Sequence, residues 1–598
     1  MNQSPFGQQN KGPDSKNFLL AMVLSMSIIF GWQYFYGMPG FLKPATPQVT
    51  EQSGAKIEGA AVPGTAGAAG IVDRATAIAA SPRAAIETAQ LAGSINLMGA
   101  QIDDLHLKNY HETADKTSPI ITFLSPNNTQ NGYFAEQGFV SAPGQTIKLP
   151  DSKTLWTAPA GAKLTEATPL VLTWDNGAGL LFRREIAVSD EFLITVRQNV
   201  ENKSASPITL LPYARVQRQG TPVVAGYYSF FEGMLGVQND KLTEIHYTDV
   251  AKENGKVETP TRGGWLGFTD KYWATSMIPE QAREIKVTYQ HVKQGARDAY
   301  QADYVATEPL VIQAGSVGVY EDHLFAGAKI VGTIDTIGEK YKISKFDLMI
   351  DWGWYKFLTQ PMFKLMAWAK GLLGNFGLAI LLVTVLVKIA VFPLANKSYA
   401  SMSKMKKLQP EMERIKAEFP DDKVKQQQAT MEMYKKEKVS PVSGCLPVLV
   451  QIPIFFAIYK VILTSIELRH APFFGWIHDL SAPDPTSLFN LFGLISWTPP
   501  HILMLGLWPI MMGMTMWVQM RLNPAPADPI QASMFNWMPL IFTFMLSSMP
   551  AGLVIYWTWS NFLSIIQQSY IMKRNGTELN LFGNIRDSIP FLRKKTPA

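Results

Sequence analysis

Hydrophobic positions along this chain follow two patterns that stay apart. Near the N-terminus, and again beyond residue 374, apolar residues run almost unbroken for 18 or more positions. At 1.5 Å per helical residue that is enough to cross about 30 Å of hydrocarbon. Six such runs predict six transmembrane helices, at 18–38, 374–394, 446–466, 501–520, 531–548 and 553–572. The last two are joined by "MPAG" (549–552), a Pro/Gly turn short enough only for a tight hairpin. The first run has no small-x-small cleavage site behind it and reads as an uncleaved anchor.

Between residues 83 and 345 the period changes to two. Short alternating segments such as "FLITVRQNV", "REIKVTYQHV" and "LVIQAGSVGVY" are separated by Asn-Gly turns at 131–132, 176–177 and 254–255. This predicts a single large β-sandwich. The preceding stretch 39–82, rich in Ala, Gly and Pro, reads as a flexible linker behind a short N-terminal tail, 1–17. Residues 346–373 mix Trp, Phe and Leu with three lysines and predict an amphipathic helix lying on a membrane surface. Residues 395–440 are charged and helical in pattern, and "FPDD" (419–422) breaks them into a helical hairpin, a docking platform or a plain connector between spans. A tail, 573–598, ends the chain.

Charge then orients these pieces. The hairpin carries eleven Lys/Arg and the tail six more, whereas the loop 467–500 holds Arg469 alone. Basic loops stay cytoplasmic, so both termini face the cytoplasm and the β-sandwich lies outside it. The one cysteine, Cys445, rules out intrachain disulfides.

Polar residues inside the spans cluster by depth. Lys388 interrupts "ILLVTVLVKIAVFPL" (380–394) about 9 Å from the cytoplasmic end of its helix, with Thr384 one turn deeper. Gln451 and Asn536 lie at similar levels, and Ser560, Ser564 and Gln567 form an i, i+4, i+7 stripe below Tyr556. A charge at mid-membrane costs roughly 2.5–3.5 kcal/mol on insertion scales. Polar groups gathered at one level therefore predict a hydrophilic groove open to the cytoplasm and sealed on the outer side. Lys388 snorkelling to headgroups is the plainer alternative. Lys460, alone at its level in the outer half of its span, reads as such a snorkelling residue.

Composition removes other functions. A net charge of +6 on 598 residues, without a basic-aromatic patch, excludes specific nucleic-acid binding. No phosphate loop, no H-E-x-x-H or G-x-S-x-G and no carboxylate inside a span is present, and the eight histidines form no i, i+4 pair. Neither an enzyme nor a coupled carrier is expected, and no metal or cofactor. A membrane-anchored periplasmic carbohydrate-binding or enzymatic β-domain is the rival from another class.

Four motifs in order, "GNFGLAILLVTVLVKIAVFPL" (374–394), "GCLPVLVQIPIFFAIYKVI" (444–462), "APFFGWIHDLSAPDP" (471–485) and "MPAGLVIYWTWSNFLSIIQQ" (549–568), resemble the YidC/Oxa/Alb family of membrane insertases in its Gram-negative branch. The resemblance implies a five-helix insertase core (374–572) beside a periplasmic β-supersandwich. It also implies nascent membrane proteins as clients, inserted into the lipid bilayer alone or with the SecYEG translocon. Ribosome and signal-recognition contacts at cytoplasmic elements are implied as well. Lys388 takes the place of the groove cation, with Thr384, Gln451 and the 556–560 segment (Tyr556, Trp557, Ser560) lining the client path. Arginine is more usual at 388, tyrosine at 557 and an aromatic at 460.

Overall fold

The computed structural model describes residue 62 and residues 70–189, 191–222, 230–252, 255–294, 297–420, 422–437, 439, 446–497, 499–500, 504–523 and 529–576. The tail 1–17, the expected span 18–38, most of the linker 39–82 and all but the start of the tail 573–598 lie outside the described residues. The chain divides into two compact units: Pro47–Trp352 with Thr464–Glu467, and Met1–Thr46 with Gly353–Leu463 and Leu468–Ala598.

The first unit is the expected sandwich of two sheets. The larger has eleven strands. Its main path runs Lys256–Arg262, Glu284–Gln294, Arg297–Ala306, Ile208–Gln219, Tyr133–Ser141, Gln101–His111, Leu91–Asn96, Arg83–Glu87 and Lys163–Leu164. Leu310–Ile312 pairs with Ile208–Gln219, and Ile120–Leu124 with Gln101–His111. The smaller, eight-stranded sheet runs Lys241–Ile245, Gly233–Gln238, Trp265–Thr269, Trp273–Ile278, Val317–Ala328, Leu193–Asn202, Leu180–Ser189 and Leu170–Asp175.

Period-two patterning sets the faces. Leu180, Phe182, Arg184, Ile186 and Val188 are buried while their neighbours are not. The expected turn at Asn176–Gly177 joins two adjacent strands: the Asn176 carboxamide accepts from the backbone of Ala178 and Leu180, and Gly177 takes φ 69°. Polar groups bridge the layers. Arg184 donates to the Gln137 carbonyl (2.6 Å) and to Gln198 (2.9 Å), and Tyr304 donates to Asp322 across the interface (2.6 Å). Within the larger sheet a buried Glu136–Arg215 pair (2.9 Å) is completed by Gln101 and Tyr213. Burial pushes the Glu136 carboxyl up, but Arg215 and the two neutral donors outweigh it and hold it below the usual range.

Order begins earlier than the linker boundary at 82. Helix α1 (Arg74–Ala79) is capped by Asp73, and Arg74 pairs with Asp104 on the sheet. One ion pair and a cap hold a turn that composition alone assigns to a tether. Helices α2 (Tyr247–Lys252) and α3 (Val331–Lys340) complete the unit.

The second unit is helical: α4 (Lys356–Leu373), α5 (Phe376–Ala390), α6 (Phe392–Lys407), α7 (Gln409–Glu418), α8 (Lys423–Lys436), α9 (Leu446–Thr464), α10 (Leu507–Leu522), α11 (Pro529–Leu546) and α12 (Ala551–Arg574). Helix α4 starts later than the expected 346, because Gly353 sits at φ 72°, outside helical space. It buries Thr359, Phe363, Met366 and Ala369 and leaves Phe357, Trp368 and Leu372 exposed. The hairpin 395–440 forms as α6–α8, with Asp422 of "FPDD" capping α8.

No single described helix is long and apolar enough to cross a membrane. The pair α5–α6 passes that test together and is bent by 67°. Proline sets the break, since Pro393 falls in the first turn of α6. Large apolar side chains cover the outside of this unit, among them Ile452, Phe456, Trp537, Ile541, Phe562 and Ile566. That surface suits lipid, not water. Inside, Gly513 lets α10 meet α11 so closely that a β-carbon there would fall 2.0 Å from the Thr543 hydroxyl.

Candidate polar groove

Helix α5 delivers Lys388 to the interior of the helical unit, where it is 9% exposed. Its ammonium donates to the Ser564 hydroxyl of α12 (2.8 Å) and to the Gln451 carbonyl oxygen of α9 (3.3 Å). Gln451 donates in turn to the Tyr556 hydroxyl. Ser564 donates to the Ser560 carbonyl (2.8 Å), one helical turn back. Three helices thus meet at one amine through neutral groups.

The cation has no carboxylate partner among the described residues. Lipid offers an amine nothing, so oxygen acceptors on neighbouring helices are what let it sit here. A small cavity opens beside it, lined by Lys388, Val391, Ala395, Tyr399, Gln451 and Gln567 among others. Helix periodicity explains the α12 contribution: Tyr556, Ser560 and Ser564 stack on one face at four-residue spacing.

The other expected residues stand differently. Thr384 is buried one turn above Lys388 and donates to the Ile380 carbonyl of its own helix (2.6 Å). Asn536 is exposed on α11. Trp557 packs against Phe455 (4.7 Å between ring centres) and Phe542 (5.6 Å), turned from the polar row. Lys460 is 5% exposed, with the end of its aliphatic chain beside Gly353.

One residue of the cluster escaped the sequence reading. Tyr399 lines the cavity beside Lys388. It lies beyond the apolar run, on α6, and only the bend at Val391–Pro393 brings it back to the lysine. Pro393 was the available signal. A second polar row on α12 also binds its neighbour: Asn561 donates to Thr515 (3.4 Å) and Gln568 to Asn523 (2.9 Å), both on or next to α10.

A buried cation among neutral acceptors, inside a helical unit with an apolar exterior, fits a membrane-embedded protein with a polar interior cluster. Comparison with known proteins makes the assignment definite. The family described as 60Kd inner membrane protein matches residues 368–578, and the YidC periplasmic domain matches residues 83–365. The chain is 48% identical to the membrane protein insertase YidC of Bradyrhizobium diazoefficiens over 98% of this chain and 100% of that one. It is 49% identical to that of Agrobacterium fabrum, over 96% and 98%. A crystal structure of an active YidC insertase with its first transmembrane domain resolved superposes with TM-score 0.35 at 17% identity, over 82% of this chain and 95% of that one. The chain belongs to the YidC family of membrane protein insertases, bacterial inner-membrane proteins with a periplasmic domain that are not enzymes. Membership sets aside the carbohydrate-handling rival as the chain's function.

Proposed function

We propose that the cavity beside Lys388 is the wet groove through which this insertase passes the polar segments of its clients. Lys388, Gln451, Tyr556, Ser560, Ser564 and Gln567 form its wall. The carrying observation is that the Lys388 ammonium is buried against neutral oxygens only, which leaves its charge uncompensated for an incoming group. A short polar segment, best if acidic, enters from the cytoplasm and meets that charge. Its apolar neighbour slides along the exposed faces of α5, α9 and α12 into lipid. Apolar transfer, about 25 cal/mol per Å² removed from water, drives the step, and the groove shortens the dry distance that the polar segment crosses.

This reading takes the chain to have six spans, an uncleaved anchor at 18–38 and five in the core, with both termini cytoplasmic and the β-sandwich in the periplasm. Helix α4, with Phe357, Trp368 and Leu372 outward, rests on the outer leaflet. The α7–α8 hairpin meets the ribosome and signal-recognition components, and the core works alone or beside the SecYEG translocon. Photocrosslinkers at 556 and 384, tested on ribosome-stalled clients, decide the client path. Adducts from 556 that track the client's hydrophobic segment support it; no adduct from either position, while a lipid-facing control at 566 reacts, overturns it.

A further inference from the structure

We propose that the outer face of the larger sheet is a peptide-binding trough, and that the chain's own segment 63–69 lies in it. Facing follows from the register. Phe139 meets Phe182 of the smaller sheet (6.4 Å between ring centres), Thr275 of that sheet donates to Tyr133, and Tyr304 donates to Asp322 (2.6 Å). Side chains alternate along a strand, so Glu136 and Val140 point the other way, as do Asp303 and Val305. Leu211 and Arg215 pair with Val140 and Glu136, and Tyr213 with Val305, so Leu211, Tyr213, Arg215 and Gln217 share that outward side. An outer face should meet water, and on the smaller sheet it does: Leu181, Arg183 and Glu185 are half-buried or exposed. Here each of these side chains is buried, with Arg215 at 1% exposure and Gln217 at 0%. A polar row on the outside of a sandwich is covered.

Val62 names the occupant. It packs against the cluster of Val140, Leu211, Tyr213 and Val305, at one end of the row. The chain is described again from Gly70, and the Val72 N–H donates to the Asn128 carbonyl (3.0 Å) in the turn leading into Tyr133, at the other end. Seven residues of strand separate Val140 from Tyr133, about 23 Å. Ten residues from Val62 to Val72 reach at most about 33–36 Å, so the segment has about three residues of slack. Its course therefore follows Tyr133–Ser141 and Ile208–Gln219, over Arg215 and Gln217. The segment reads "PGTAGAA". It carries no charge and only small side chains, so its peptide groups can come close to the face. Both ends of the Gln217 amide, Nε2 and Oε1, are buried with no hydrogen-bond partner among the described residues. A carboxamide sets a donor beside an acceptor, the complement of a backbone peptide group. An extended segment laid over Gln217 supplies both partners and relieves a costly burial. Recognition is of backbone and not of charge, since Arg215 and Glu136 already pair with one another (2.9 Å). The linker's free run then ends at Val62 instead of 82, whatever Lys388 does in the other unit.

Hydrogen exchange on the detergent-solubilised full chain tests this without any substitution. Amides 64–69 should exchange at least about tenfold slower, relative to their intrinsic rates, than those of 50–58, the protection that one to two net hydrogen bonds supply. Equal relative rates in the two stretches would overturn the proposal. So would protection of 223–229 with none at 64–69, which would make that loop the cover. Protection at 64–69 that fades on dilution would also overturn it, since the occupant would then be a second copy of the chain. A second arm fixes the place. In a Cys445→Ser background, Gln217→Cys is paired in turn with Thr65→Cys, Ala66→Cys, Gly67→Cys and Ser53→Cys. For the fastest of the first three, a disulfide within one chain should form at least about tenfold faster than with Ser53→Cys, because a seated segment raises the local thiol concentration. Equal rates at all four positions would overturn the proposal.

Discussion

Asp322 sits between the two β-sheets with no water contact, and its removal of charge should be readable as a pH slope. Its Oδ2 accepts from Tyr304 (2.6 Å), while its Oδ1 is buried without a hydrogen-bond partner. Burial therefore pushes the carboxyl from its ordinary 3.8 up to about 7, against the smaller pulls of the Tyr304 hydrogen bond and Arg184. An acid raised in the folded state binds its proton there more tightly than in the unfolded chain. Its contribution is complete below about pH 4 and is lost as pH rises through about 7. The displacement is worth roughly 4 kcal/mol over that window, at up to about 1.4 kcal/mol per pH unit. Asp322→Asn removes the titration but buries an amide N–H₂, costing about 1–3 kcal/mol at low pH. Urea unfolding of the detergent-solubilised protein, followed through the near-ultraviolet signal of the β-domain, should show the variant less stable at pH 5. Between pH 5 and 8 it should gain about 3 kcal/mol on the wild type. Parallel stability curves would refute the reasoning, since they would mean that Asp322 is already ionised at pH 5.

Other outcomes follow from the same contacts. Lys388→Glu should impair vesicle insertion of acidic-tailed clients at least tenfold more than Lys388→Arg, because it reverses the charge while arginine keeps it; indistinguishable rates would count against an electrostatic role. Arg215→Met should destabilise the β-domain by about 3–5 kcal/mol, since it strands the buried Glu136 carboxylate, and denaturant midpoints will show it. Asp484 accepts from the Trp508 backbone (2.9 Å) and the Trp476 indole (3.1 Å) at the start of α10. Asp484→Ala should cost about 2 kcal/mol and speed proteolysis of the 469–506 loop.

Much of this was legible in the chain because depth and period are local properties. A helix rises 1.5 Å per residue, so Lys388, Gln451 and Ser564 can be placed at one level by counting from their span ends. Azimuth is harder. Asn536 gives a depth without a direction, and it lies exposed on α11. Trp557 follows Tyr556 by one residue, about 100° around the helix, which is enough to move it from the polar row to the Phe455–Phe542 contact. Tyr399 was lost for a different reason: an uninterrupted apolar count carries α5 to residue 394, and Pro393 bends the chain inside that count. In the β-domain, alternation predicts strands, but pairing Ile208–Gln219 with both Tyr133–Ser141 and Arg297–Ala306 is a non-local choice that no window contains.

Water beside Lys388 is the premise on which the insertion route stands. In a Cys445→Ser background, single cysteines at 388, 451 and 567 should be exposed to a membrane-impermeant maleimide added on the cytosolic side. The account predicts labelling at all three, slower than at a hairpin control such as 431 but well above lipid-facing 541. If the three positions stay as unreactive as 541 while 431 labels fully, no aqueous path reaches the lysine and the groove does not exist.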